Sequence, residues 1–257
     1  MPFFYYDSYY LILVVPAFLI SLYAQVKVQG TFKKYATVYS SKGQTAAQIT
    51  RQILDENRLS SVQIERVSGH LTDHFDPRSN VIRLSDAVYD STSVASIGVA
   101  AHEAGHAVQH AVGYVPIRLR NAVLPVANIG SRLAMPIILI GLIMSFEPLV
   151  TVGIFLFSAL VLFQLVTLPV EFNASRRAIS TLRSGGTLDE TELSVAKRVL
   201  SAAAMTYVAA ALVSAMQLLR LVLLSNRRRD LLTSKVFGVN TVEGLVFCET
   251  QLRKKIR

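Results

Sequence analysis

His102, Glu103 and His106 fall in the stretch AHEAGHA at 101–107, the pattern H-E-x-x-H. Residues four apart share a helix face, so both imidazoles can point at one metal ion. Glu103, next to the first histidine, is then placed to hold and deprotonate a water at that metal. Neutral imidazoles suit Zn2+, and two ligands from one helical turn leave room for a third ligand and an open position. The chemistry this points to is metal-assisted hydrolysis. The bland alternative is a core helix whose two histidines are merely hydrogen-bonded. It gives an apolar helix no reason to carry His, Glu and His on one turn.

The motif requires a helix, and the flanking residues supply one. Residues 94–112 are Ala-rich and free of proline, with Thr92 or Ser93 as N-cap, Gly113 as the stop and Pro116 just beyond. Upstream, Gln44–Asn57 places Ala46, Ile49, Ile53 and Leu54 at helical spacing behind a Thr45 cap. Val62–Val67 alternates like a half-buried strand, Asp76–Asn80 reads as a turn, and Val81–Leu84 as a second strand. This order suits a zincin-like domain in which a small sheet lies over the metal helix. Val81–Leu84 is the candidate edge for an extended peptide, the alternative being a hairpin that binds nothing.

The rest of the chain is apolar enough to meet a membrane. Of 257 residues, 52% are hydrophobic, and charge is absent from Ser8–Val26, Pro148–Val170 and Val199–Leu219. Each run can cross a hydrocarbon layer of about 30 Å. A fourth run, Asn121–Phe146, contains Arg132, read as snorkelling to the interface rather than as half of a buried ion pair. The expected fold class is therefore α+β: a helical membrane protein with a small zincin-like cytoplasmic catalytic domain. The first run lacks a basic leader and a small-residue cleavage site, and Lys27, Lys33 and Lys34 follow it. It is expected to be a retained anchor with the N-terminus outside and residues 27–120 in the cytoplasm. Tyr5, Tyr6, Tyr9 and Tyr10 fit an interfacial aromatic belt.

Runs 121–146 and 148–170 are separated only by Glu147-Pro148 and make a membrane hairpin. Arg118 and Arg120 precede it and Arg176 and Arg177 follow it, which marks the cytoplasmic side. Run 199–219 either spans, leaving Arg227, Arg228 and Arg229 outside against the positive-inside rule, or lies partly in the catalytic domain or the interface. The expected organisation is an anchor at 1–28, a zincin-like catalytic part at 29–120 and a transmembrane hairpin at 121–170. A third-ligand helix with a C-terminal hydrophobic helix follows at 171–230, and then a basic tail at 231–257. The single cysteine, Cys248, excludes an internal disulfide and a cysteine-rich zinc site. Net charge is +9, and residues 220–257 hold nine Lys/Arg against three Asp/Glu. Such a flank fits a bilayer with anionic lipid; with no recognition motif beside it, no nucleic acid is expected as a partner.

Candidates for a third ligand are His70, His74, His110, Asp73, Asp76 and Glu171. His110 sits a further ~6 Å along the helix axis from His106 and lacks the glycine turn of longer three-histidine motifs, so it reads as structural or as support for the ligands. Glu171 ends the 148–170 helix on the side to which the hairpin returns.

Four segments carry a family resemblance: DPRSNVIRLS (76–85), VAAHEAGHAVQHA (99–111), PVEFNASRRA (169–178) and AAAMTYVAAAL (202–212). Together they resemble the YugP-type neutral zinc metallopeptidases of bacterial membranes, over most of residues 1–230. More distantly, the order metal helix, membrane hairpin, E-x-x-A resembles the HtpX heat-shock proteases and the CAAX-prenyl proteases. The resemblance implies a gluzincin with His102, His106 and Glu171 as Zn2+ ligands and Glu103 as general base. Ser175 stands where the distant relatives have Asp. For the oxyanion stabiliser, Tyr207 leads by analogy over Arg176, Arg177 and His74. The expected function is a multi-pass zinc endopeptidase of the bacterial cell membrane that cleaves membrane or membrane-proximal proteins. The rival readings are a zinc-binding scaffold or regulator that cleaves nothing, and a zinc hydrolase of lipid or another small substrate. A strand edge beside the metal favours a peptide, and a closed apolar pocket favours a small molecule.

Overall fold

The computed structural model describes residues 8–237, with side chains to residue 227. Tyr5, Tyr6, Cys248 and most of the 231–257 tail lie outside the described residues. A π-helical turn, Tyr10–Val14, leads into α1 (Val15–Tyr35). The helix thus runs well past the Val26 boundary that hydropathy suggests. Polar residues from Lys27 onward end the apolar run but contain no proline to end the helix.

α2 (Ala46–Glu56) starts at Thr45 with a reciprocal capping box. Gln48 N–H donates to the Thr45 hydroxyl, and Thr45 N–H donates to Gln48 Oε1. Such a cap contributes about 1 kcal/mol. Three strands follow: β1 (Gln63–Val67), β2 (His74–Asp76) and β3 (Val81–Ser85), in the sheet order β1-β3-β2. β1 runs parallel to β3, and β2 pairs antiparallel to it across the Pro77–Asn80 turn. Asp76 ties that turn by accepting from Arg78 N–H and the Ser79 hydroxyl, which hold its carboxyl down at about 2.

This order corrects the expected edge. Val81–Leu84 lies in the central strand, with Val81, Ile82 and Leu84 buried, and the edge beside it is β2. A strand apolar on both faces belongs in the middle of a sheet. The three residues of β2 are too few to show a period.

α3 (Val94–Ala111) carries the motif and begins at Ser93, whose hydroxyl accepts from Ser96 N–H. It ends in a Schellman arrangement: Gly113 N–H donates to His110 O, and Tyr114 N–H to Gln109 O, with Gly113 at φ 61°. α4 (Val115–Ile143) and α5 (Glu147–Ser184) form the hairpin, and α6 (Glu190–Phe237) closes the chain. The hairpin turns at Met144–Phe146, and Glu147 and Pro148 begin α5 rather than breaking the chain. Its helices pack closely: a Cβ on Gly130 would come within 2.3 Å of Leu156 O. Arg132 is exposed on α4 and forms no ion pair among the described residues, so the buried-pair alternative is not realised.

Four helical stretches are long and apolar enough to cross a membrane: Tyr10–Tyr35, Val115–Ile143, Glu147–Ser184 and Glu190–Arg227. α6 is continuous through 199–219 and lies antiparallel to α1. The Arg198 guanidinium meets Tyr35 at one end, and Arg220 lies over the Tyr10 ring at the other.

Two apolar cores result. The larger joins α2, the sheet and α3 to the Ala178–Leu182 end of α5 and the Leu193–Leu200 start of α6. The smaller lies between α4, α5 and α6, around Ala134, Ile138, Phe157 and Leu221. α3 therefore sits in one core, while α5 threads both.

Candidate metal centre

On α3, His102 and His106 are one turn apart, with their rings edge-to-face and the two Nε2 atoms 3.1 Å from each other. α5 brings Glu171 Oε2 to 3.3 Å from His102 Nε2 and 3.6 Å from His106 Nε2. Ligand atoms held at ~2.0–2.1 Å around a tetrahedral ion lie roughly 3.3–3.4 Å apart. The triangle therefore has the size that a zinc ion requires, and its donors are two imidazoles and a carboxylate.

Two further bonds fix the imidazoles. His106 Nδ1 lies 3.0 Å from Gln109 Oε1, and His102 Nδ1 lies 3.1 Å from the Ser175 hydroxyl. With the Nδ1 proton donated to those oxygens, each Nε2 lone pair faces the common point. Gln109 is itself locked, because its Nε2 donates to Val170 O and to Asn173 Oδ1. Asn173 Oδ1 also accepts from Arg177 Nε at 2.8 Å. Ser175 thus gives His102 an uncharged hydroxyl partner.

The approach of the two helices depends on the second x of the motif. A Cβ on Gly105 would fall 2.8 Å from Ala174 O, so only glycine lets α3 lie this close to α5. Ala174 lies between Glu171 and Ser175, and the close contact brings both within reach of His102.

The charges favour a cation. Glu171 is 3% exposed and Glu103 8% exposed. Burial works against a charge on His106, yet Glu171 and Glu103 outweigh it and raise its pKa. Two buried carboxylates beside two imidazoles form a site that attracts positive charge.

Glu103 is held from the sheet side. Its Oε2 accepts from Phe75 N–H at 3.0 Å, so the edge strand β2 is turned toward the triad. Beside it opens a cavity of about 710 Å³ whose wall includes His74, Asp76, His110, Arg120 and Tyr207. A smaller cavity of about 250 Å³ reaches the triad from the other side, past Val28, Leu71 and Ser175. Tyr207 lines both and lies close enough to Glu171 and Glu103 to feel both charges.

The remaining candidates fall outside the triangle. Asp73 accepts from Ser85 N–H and Oγ, and burial leaves its pKa raised despite those bonds. Asp76 belongs to the turn, His74 Nδ1 is taken up by Thr72 O, and the His110 ring packs edge-on against Phe75. Among the described residues, His102, His106 and Glu171 are the one group of three that could hold a metal ion, and His70 takes no part in it. Arg177 Nε is engaged by Asn173 Oδ1 at 2.8 Å. Gln109 and Asn173 were not legible as site residues. Gln109 has the weak signal of lying three residues after His106 on the same helix face, while Asn173, two residues after Glu171, has none.

Known proteins similar to this chain are consistent with a zinc site. A family model described as "putative neutral zinc metallopeptidase" matches residues 10–226. A protein named "Putative membrane protease YugP", from Bacillus subtilis (strain 168), is 47% identical over 221 residues, which cover 86% of this chain and 98% of that protein. No solved structure matches. With a family match over most of its length and a relative this similar, the chain belongs to the neutral zinc metallopeptidase family.

Proposed function

We propose that this chain is a membrane-embedded zinc endopeptidase of the gluzincin type, with His102, His106 and Glu171 as the zinc ligands. The observation that carries this reading is the triangle of 3.1, 3.3 and 3.6 Å between three donor atoms, with Glu103 alongside. A zinc ion bound there would supply Lewis acidity, polarising a scissile carbonyl and making water nucleophilic near neutral pH. Glu103 acts as general base. With Oε2 held by Phe75 N–H, its other oxygen takes the proton from the attacking water and passes it to the leaving amine. Tyr207 donates to the oxyanion.

The substrate is an extended polypeptide. The larger cavity is open, and the edge strand β2 forms one of its walls, so an extended peptide can lie along that edge with Phe75 O, free among the described residues, to accept from it. The size of the larger cavity and the strand along its wall favour a peptide over a small lipid substrate. Glu171 follows the uncharged part of α5, which supports a cleft at the membrane surface, and the basic residues Lys27, Lys33, Lys34, Arg118 and Arg120 support the cytoplasmic side for it. The substrates are then membrane proteins or their membrane-proximal tails. The zincin-like unit is residues 29–120 completed by Glu171 and Tyr207. Glu103 favours hydrolysis over the scaffold reading, since a binding-only site needs no base beside its ligands.

The test is cleavage of an unfolded membrane-protein substrate by detergent-purified enzyme, with zinc counted in the same samples. Wild type should contain one zinc and cleave. Glu103→Gln should keep the zinc and lose cleavage. Cleavage that survives in Glu103→Gln would sink the mechanism, and zinc without cleavage in the wild type would favour the scaffold.

A further inference from the structure

A second cleft lies away from the metal triad, in the seam between α1 and α6. Its volume is about 520 Å³. α1 contributes Lys27, Thr31, Lys34 and Tyr35, which share a helix face at spacings of four, seven and eight. α6 contributes Lys197 and Arg198, with hydroxyls from Ser194 and Ser201. Four cations therefore converge on one cleft, and no carboxylate lines it.

The sequence makes this one-sided. No Asp or Glu occurs between Ser8 and Leu54, nor between Leu193 and Arg229. None of the four cations makes an ion pair among the described residues. Their contacts are Lys27 over the Tyr23 ring, Lys34 over the Tyr35 ring, and Arg198 Nη1 donating to the Tyr35 hydroxyl at 3.3 Å. Packing α1 on α6 gathers like charges, which repel unless an anion sits among them.

The depth of the cleft identifies the anion. The uncharged run of α1 ends at Val26, immediately before Lys27, and that of α6 begins at Val199, immediately after Arg198. The helices are antiparallel, so both boundaries meet at one level, with Ala202 and Met205 on the apolar side of the cations. An anion held at the polar edge of two apolar helices, with hydroxyl donors around it and hydrocarbon next to it, has the chemistry of a phospholipid phosphate.

We propose that the α1–α6 cleft formed by Lys27, Lys34, Lys197 and Arg198 binds the phosphate of an anionic phospholipid headgroup. This rests on α1 and α6 crossing the bilayer and not on peptidase activity, so a lipid-binding readout fails or succeeds independently of proteolysis. The site also bears on the metal centre. Val28 of α1 and Tyr207 of α6 line the smaller cavity beside the triad, so a lipid bridging the two helices holds that wall in place.

The experiment is native mass spectrometry of the full chain in detergent, delipidated and then titrated with phosphatidylglycerol, phosphatidylcholine or inorganic phosphate. The expected result is one tightly held phosphatidylglycerol per chain, with phosphatidylcholine and inorganic phosphate at least tenfold weaker. Lys34→Gln with Lys197→Gln should weaken it about thirtyfold, at about fivefold per charge near the membrane surface. Lys33→Gln, one residue away but outside the cleft, should leave binding unchanged. Ser201→Trp, which blocks the cleft without altering charge, should abolish the tight stoichiometric step. Equal retention of phosphatidylcholine would overturn the proposal, as would an equal loss in Lys33→Gln or unchanged binding in Ser201→Trp, which both indicate a diffuse surface field. Inorganic phosphate binding as tightly as the lipid would overturn the lipid assignment in favour of a soluble anion.

Discussion

α3 delivers His102 and His106 from inside the larger core, whereas Glu171 arrives on α5, a 38-residue helix that has first passed through a hairpin. On the α3 side, geometry is local. Four residues of helix fix the separation of the two imidazoles, and capping at Ser93 and Gly113 fixes the helix. On the α5 side it is entirely tertiary. Glu171 sits where it does because Gly105 admits the α5 backbone, and because Gln109 reaches across to Val170 O and Asn173 Oδ1. The local half of the site can persist without the other, but the metal triangle exists only when the helices dock. A site built this way couples metal binding to the position of the hairpin.

Changes on the two sides should therefore fail differently. The largest effect on rate alone is expected from Glu103→Gln. It sits on α3, is not a ligand and takes no part in the α3–α5 contact, and the amide keeps an acceptor for Phe75 N–H, so zinc should stay stoichiometric while kcat/KM falls by about 10²–10⁴. Gly105→Ala comes next and breaks the docking. The added methyl would meet Ala174 O at 2.8 Å, costing about 1–3 kcal/mol of stability in a thermal or denaturant melt. Zinc occupancy should fall with it, although His102, Glu103 and His106 are all unchanged. Gln109→Ala removes the cross-helix clamp and the partner of His106 Nδ1. It should weaken zinc about 10–100-fold in a competition titration with a chelator, with a smaller loss of kcat at saturating zinc. Ser175→Ala frees only His102 Nδ1 and should lie at the low end of that range, about tenfold. Were Gln109→Ala and Gly105→Ala silent on zinc while Ser175→Ala was severe, docking would not be what sets the third ligand.

The same division explains what could be read from the chain. The H-E-x-x-H helix and its ends were legible, because caps, glycine stops and helical spacing are properties of neighbouring residues. So was the capping box at Thr45. Glu171 is one of six candidates, favoured by the return of the hairpin and assigned as a ligand by the resemblance, since no local pattern tells a ligand from a solvated glutamate after an apolar run. The sequence points to Val81–Leu84 as the edge because it has a strong strand pattern and His74–Asp76 has none, but burial puts Val81–Leu84 in the centre and leaves β2 at the edge facing the site. Hydropathy marked where α1 leaves the apolar layer, at Val26, but not where the helix ends, at Tyr35, because a polar face does not stop a helix.

The most direct test of the central claim is the zinc content of detergent-purified protein, wild type against Glu171→Ala, with cleavage of an unfolded membrane-protein substrate measured in parallel. One zinc per chain in the wild type, lost together with cleavage in Glu171→Ala, is the predicted result. Stoichiometric zinc retained in Glu171→Ala would contradict the account, because the third ligand would then lie elsewhere and the docking of α5 would not complete the metal centre.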